Sequence, residues 1–261
     1  MFMTKFLFMT KPLLLLGCVF ALHNNVRAQI IEGDMNHDGL LDVDDITILI
    51  SRYLSTPSHA SGYENGHAWV DLGLSVKWAT MNIGANAPEE YRDLFAWGEV
   101  EGYDDGKSVF DWETYKWCDS TATTLTKYNY DPNYGKTDNL LELLPEDDAA
   151  YVQWGENWRI PVFNPDVWEL RTRCTWTKTV LNNIVGYKVT GPNGNSIFLP
   201  TSGWIHNDSF GGIGRGGDYW SRSLNPDNPS YAYGFWFFDD GLGWATRFPR
   251  DFGRRIRPVT K

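Results

Sequence analysis

The sequence predicts an α+β chain, made of a β-rich domain with two short helices and a small loop-helix module ahead of it. Seven short segments rich in β-branched and aromatic residues recur between residues 67 and 259, each bounded by Gly, Pro, Asn or Asp, as strands are. Helical spacing of apolar residues is confined to a few short windows. All 13 tryptophans follow Gly62, which assigns the apolar core to one C-terminal domain of about 200 residues, long enough to fold around it.

Residues 1–28 carry Lys5 and Lys11, the apolar run Pro12–Leu22, and small residues at Val26 and Ala28. That order predicts a secretory signal peptide, because a run of about eleven apolar residues is too short to span a bilayer. Leu15-Leu16-Gly17-Cys18 also fits a bacterial lipobox, but the chain stays apolar past Cys18 and offers a cleavage site ten residues later. Secretion or display at the surface of a bacterium is expected, with an outer-membrane lipid anchor on Cys18 as the alternative. Cleavage removes Lys5, Lys11 and Arg27 from 23 bases and none of 33 acids, so the mature net charge is 20 − 33, or −13. Such a balance disfavours nucleic acid and anionic lipid as partners. No later stretch is long and apolar enough to be a transmembrane segment.

Residues 34–45, Asp-Met-Asn-His-Asp-Gly-Leu-Leu-Asp-Val-Asp-Asp, place oxygen ligands in an EF-hand-like register. Asp34, Asn36 and Asp38 offer side chains, Leu40 its carbonyl, Asp42 a direct or water-mediated contact, and Asp45 the closing carboxylate. Gly39 allows the sharp turn. Calcium is the cofactor this pattern predicts. A helix over about Asp44–Leu54 follows, with Ile46, Leu49, Ile50, Tyr53 and Leu54 on one face. Residues 33–54 resemble one repeat of a type I dockerin, a family that binds cohesin modules in polysaccharide-degrading assemblies. The family normally carries two repeats and a second is absent here. A cohesin-like module is therefore one expected partner, and a calcium-clamped spacer is the other reading. One loop and one short helix bury too little apolar surface to stand alone, so the stripe needs something to pack against. Residues 55–65 are polar and small, as a linker is.

In the domain over 66–261, strands are expected at 67–71, 76–80, 187–190, 196–199, 219–223, 231–238 and 254–259, with Asn193-Gly194 turning one hairpin. One helix is expected from Asn164 as N-cap and Pro165 to Cys174, turning Val167, Trp168 and Leu170 inward. The other is expected over Pro145–Trp154, with Glu146, Asp147 and Asp148 in a first turn that favours anions. Those acids are read as structural. Arg255 and Arg257 share one strand face and are read as buried arginines paired with acids. A disulfide between Cys118 and Cys174 and a pair of buried thiols stand as equal alternatives.

Several motifs resemble the Fibrobacter succinogenes major paralogous domain. They are Val70–Thr80, Phe95–Glu99, Glu146–Ala150, Trp154–Pro161, Tyr219–Ser223 and Gly253–Val259. This family of exported bacterial proteins implies a C-type lectin-like fold and no established activity.

No His-Glu-x-x-His, Gly-x-Ser-x-Gly or phosphate-cradling loop is present, so catalytic residues are not assigned. A glycosidase would need only an unmarked pair among the acids. The glycine-rich segment 203–218 is the best candidate for a ligand loop, with Trp204, His206, Asn207, Asp208 and Asp218 able to stack on or hydrogen-bond a glycan. The expected function is non-catalytic recognition of a glycan or surface protein. The alternatives are an accessory subunit docked through the calcium repeat, or a glycoside hydrolase.

Overall fold

Asparagine-led turns set two of the first hairpins in the computed structural model, which describes residues 40, 42–45, 61–238 and 247–261. Asn65 and Gly66, at φ 47° and 80°, join β1 (Ser61–Glu64) to β2 (His67–Val70), in the two-residue turn whose twist matches the strands. Asn182 and Asn183 do the same between β5 (Thr175–Leu181) and β6 (Ile184–Thr190). The chain divides into two units, Met1–Ser58 and His59–Lys261. In the first, residues 43–45 are helical. The predicted helix beyond Asp45 lies outside the described residues.

The larger unit is β-rich with few short helices, an α+β arrangement of three sheets. The first runs β1-β2-β3-β13-β4, with β3 at Lys77–Ala79, β4 at Trp158–Arg159 and β13 at Val259–Thr260, so the C-terminal strand lies between β3 and β4. The second runs β12-β11-β10-β8-β9, with β8 at Ser202–His206, β9 at Ser209–Ile213, β10 at Gly216–Leu224, β11 at Tyr231–Phe238 and β12 at Arg247–Pro249. The third is β5-β6-β7, with β7 at Ser196–Pro200. The β8–β10 pairing is parallel and the others are antiparallel. Strand β1 takes in residues the sequence assigns to the linker.

Both helices are shorter than expected. Pro145–Asp147 is a 3₁₀ turn, and α1 (Ala149–Trp154) starts after it on Asp148, whose carboxylate caps Ala150 and Tyr151. Two of the acids make buried contacts rather than facing a first-turn dipole: Asp148 caps the helix and Asp147 receives Lys127 Nζ (2.5 Å) and the Tyr128 hydroxyl (2.6 Å), whereas Glu146 is exposed. Helix α2 (Trp168–Arg173) follows a wide turn over Phe163–Val167 in which Asn164 is extended and caps nothing. Asp166 organises that turn instead, accepting Val162 N–H and Arg159 Nη1. Val167 and Leu170 face the core as expected, whereas Trp168 is half-exposed.

Segments distant in sequence meet in the core. Trp97 Nε1 donates to Ser221 O (2.8 Å) and Trp220 Nε1 to Phe95 O (2.7 Å), so two motifs distant in sequence lock each other. Trp78, Trp97, Trp158 and Trp220 are fully buried, each worth about 2–3 kcal/mol of apolar burial. Cys118 and Cys174 are unbonded; Cys118 Sγ donates to Trp112 O instead.

Candidate functional site

The glycine-rich segment 203–218 is a hairpin, β8–β9, leading into β10, and not a mobile loop. Its glycines serve close approach. A Cβ at Gly203 would lie 2.2 Å from Gly211 O, and one at Gly211 would lie 2.4 Å from the Trp204 indole, which lies across it. The turn at Asn207 (φ 54°) is pinned to the rest of the domain, since Asn207 N–H donates to Phe110 O and its carbonyl accepts Phe110 N–H, both at 2.8 Å. Ile205, between them, points into a small core with Leu94, Ala96, Phe110 and Tyr115. The hairpin is therefore a fixed platform.

Alternation on β8 puts Trp204 and His206 on the opposite face from Ile205, both partly buried. Phe252 backs them: its ring stacks on the His206 imidazole at 3.9 Å and 10°, and packs against Trp204 at 5.5 Å. Asn207 and Asp208 are exposed at the tip. Four of the five predicted residues are thus brought together. Asp218 is not among them; it is buried beside the Arg254 guanidinium, its Oδ1 3.7 Å from Nε, in a stretch of β10 covered on both faces. Phe252 and its neighbour Asp251 went unnoticed in the sequence, where Pro249-Arg-Asp-Phe-Gly253 has no periodicity to mark them.

Asp251 lies behind the platform, fully buried, with Oδ2 3.6 Å from His206 Nε2. Burial pushes its carboxyl up to about 7; Asp111 adds to this, and Arg254 and Lys107 oppose it. Asp93, under the same core, is pushed up to about 6, again by burial. A folded-state pKa above the unfolded value means stability that is full below about pH 4 and is lost as pH rises through about 7. Asp251→Asn is therefore expected to raise Tm at pH 8, on the order of 5 °C, and to leave it little changed at pH 4.5. Thermal unfolding at both values checks this; an equal shift at both would assign the effect to packing.

In the N-terminal unit, Asp34, Asn36 and Asp38 lie outside the described residues. Asp42 Oδ1 accepts Asp44 N–H (2.8 Å) and the buried Asp45 accepts Asp42 N–H (3.0 Å), a reciprocal cap at the helix start. Leu40 is exposed. Among the described residues no group of three or more His, Cys, Asp or Glu gathers as a metal site. A shallow groove of about 370 Å³ beside the β5-β6-β7 sheet is lined by apolar Val180, Ile197 and Phe198 and by Thr80, Lys188 and Ser196. No helix among the described residues is long and apolar enough to cross a membrane. No protein-family model matches the chain, and neither curated proteins nor solved structures give a significant match.

Proposed function

We propose that this chain is an exported, non-catalytic binding protein. Its β-rich domain recognises a glycan or a surface partner through the β8–β9 hairpin, and a calcium-binding, dockerin-like repeat precedes it. The observation that carries this reading is the Trp204–His206 face, two partly exposed rings backed by Phe252 beside the exposed Asn207 and Asp208. Ring faces pack on the C–H face of a sugar, while an amide and a carboxylate pair with its hydroxyls. The platform is pre-organised, so binding costs little ordering. The resemblance of several motifs to the Fibrobacter succinogenes major paralogous domain is what suggests a C-type lectin-like scaffold for it.

Asp34, Asn36, Asp38, Leu40, Asp42 and Asp45 would hold the calcium, with the buried Asp45 as closing carboxylate. Calcium supplies a structural clamp there. The repeat at residues 33–54 also favours a second reading, an accessory subunit captured by a cohesin-like module. Calcium-dependent cohesin capture, lost on Asp34→Ala, would favour it.

The test is to print residues 29–261 on an array of plant and host glycans, with calcium and with chelator. Trp204→Ala is expected to weaken the strongest signal about tenfold, the loss of one aromatic contact, with little effect of chelator. Binding to no glycan, or binding indifferent to Trp204→Ala, would sink the hairpin as the glycan site.

A further inference from the structure

The hairpin that carries Trp204 and His206 has a second face. The β8–β9 register sets Ile205 opposite Phe210 and His206 opposite Ser209, so Phe210 lies on the side away from Trp204 and His206. Ile205 enters the core there, while Phe210 stays 45% exposed. Its ring meets that of Tyr103 edge to face at 5.2 Å, and Tyr103 is itself 37% exposed. Among the described residues this is the single ring pair in which both members are exposed. A pair kept for packing would gain by burying at least one ring.

Tyr103 is held as firmly as the hairpin. Its N–H donates to Leu94 O (2.9 Å) and its carbonyl accepts Gly106 N–H (3.1 Å). On either side, Gly102 N–H donates to Asp105 Oδ2 (3.1 Å) and Asp104 N–H to Oδ1 of the buried Asp93 (3.0 Å). Glycine is required at 102, since a Cβ there would lie 2.2 Å from Asp93 Oδ1. Two fixed segments far apart in sequence thus present adjoining rings to solvent, and a ligand stacking on them costs little ordering. Charge sorts the ligands that fit. The exposed acids are Asp208 at the tip and Asp104 and Asp105 beside Tyr103. Lys107 of that loop is engaged by Glu99 (2.7 Å) and Thr114 O (3.0 Å), and Arg215 sits at the other end of β9. An anionic sugar would meet like charges here, whereas the hydroxyls of a neutral one can donate to these carboxylates.

We propose that Tyr103 and Phe210 form a second sugar-stacking subsite, so that the hairpin takes a neutral oligosaccharide, a trisaccharide or longer. The chain runs from the Trp204–His206 face past Asn207 and Asp208 to Tyr103 and Phe210. One sugar stacks at each ring pair, and at least one crosses the tip between them. This rests on the hairpin being the glycan site, and it makes the ligand an internal stretch of polysaccharide in place of a single terminal sugar.

The exported chain would be titrated by calorimetry with cello-, manno- and N-acetylated chito-oligosaccharide ladders from monomer to hexamer, and with oligogalacturonides as the acidic ladder. Affinity for a neutral ladder is expected to rise about tenfold between the disaccharide and the longer members, the worth of one further aromatic contact, with no binding of the acidic ladder. Phe210→Ala is expected to abolish that rise, and Trp204→Ala to weaken every member. Phe210→Leu keeps the apolar rim and removes only the flat ring, so it decides the matter where the alanine variant is unstable. Binding that needs Trp204 but is flat with chain length, or a rise that survives in both Phe210 variants, would overturn the second subsite and leave the first standing. Equal binding of the acidic ladder would overturn the ligand class. Binding of no ladder, or binding indifferent to Trp204→Ala, would remove the hairpin as a glycan site and the subsite with it. A dimer in sedimentation that Phe210→Leu dissolves would assign the ring pair to self-association and overturn the proposal.

Discussion

Arg250→Met is expected to destabilise the domain by about 5 kcal/mol or more, enough to leave a large fraction unfolded at 37 °C. Arg250 is fully buried, and its guanidinium serves four acceptors in three different loops. Nε donates to the Tyr115 hydroxyl (2.9 Å), Nη1 to Tyr128 O (3.0 Å) and Pro229 O (2.9 Å), and Nη2 to Lys127 O (3.0 Å). It also lies over the Trp97 ring at 4.9 Å and the Tyr115 ring at 5.3 Å. Residues 95–145 have almost no regular structure, so their backbone groups depend on such fixed donors. Methionine fills the volume but leaves three carbonyls without a donor, each costing about 1–3 kcal/mol, and the Tyr115 hydroxyl with only its bond to Trp97 O. Lysine keeps the charge, yet a single ammonium lacks the planar fork that reaches in three directions, and it is expected to recover less than half of the loss. Urea unfolding of the three proteins checks both statements. A methionine variant within about 1 kcal/mol of the parent would mean that these loops hold themselves.

That dependence explains which parts of the fold were legible in the sequence. Strands with alternating β-branched or aromatic residues, such as Tyr231–Phe238, stood out because burial on one face imposes period two. The β8–β9 hairpin did not, since glycine normally weakens a strand. Here Gly203 and Gly211 are required by a crossing backbone and an indole, which no local pattern records. The helix at Trp168–Arg173 was found but begun too early, because Asn164-Pro165 looks like a cap and first turn, whereas Asp166 takes that segment for its own contacts with Arg159 and Val162. At the candidate site, Trp204, His206, Asn207 and Asp208 are contiguous and could be guessed together. Phe252 and Asp251 join them only through tertiary packing. The arginine run was legible as buried, but its partners were not: carbonyls and an amide of other segments take the place of the acids.

Asp148 shows how one side chain can hold elements that sequence treats as separate, and its replacement by alanine should cost about 4 kcal/mol. The carboxylate has no exposure to solvent. Oδ1 accepts Ala150 N–H (3.0 Å) and Tyr151 N–H (3.2 Å), which starts α1, and both oxygens receive Ile160 N–H at 3.0–3.1 Å, which fixes the exit from β4. Arg222 Nη1 stands 3.7 Å from Oδ2. Alanine would leave three N–H groups without this acceptor and Arg222 with only the exposed Glu142, 3.7 Å away, as a counter-charge. Burial pushes the Asp148 carboxyl upward, while Arg222 and the three N–H donors pull it back, so the ionised form is held by geometry against a desolvation cost. Asparagine separates the two contributions. It keeps one acceptor oxygen for the cap, and it is expected to recover about half of the alanine loss while losing the attraction to Arg222. Thermal unfolding of Asp148→Ala and Asp148→Asn at pH 7 reads the difference. If asparagine were as damaging as alanine, the charge facing Arg222 would be the dominant contribution and the cap a minor one. If both were near neutral, the helix start would be held by the packing of Ala149, Ala150 and Trp154 alone.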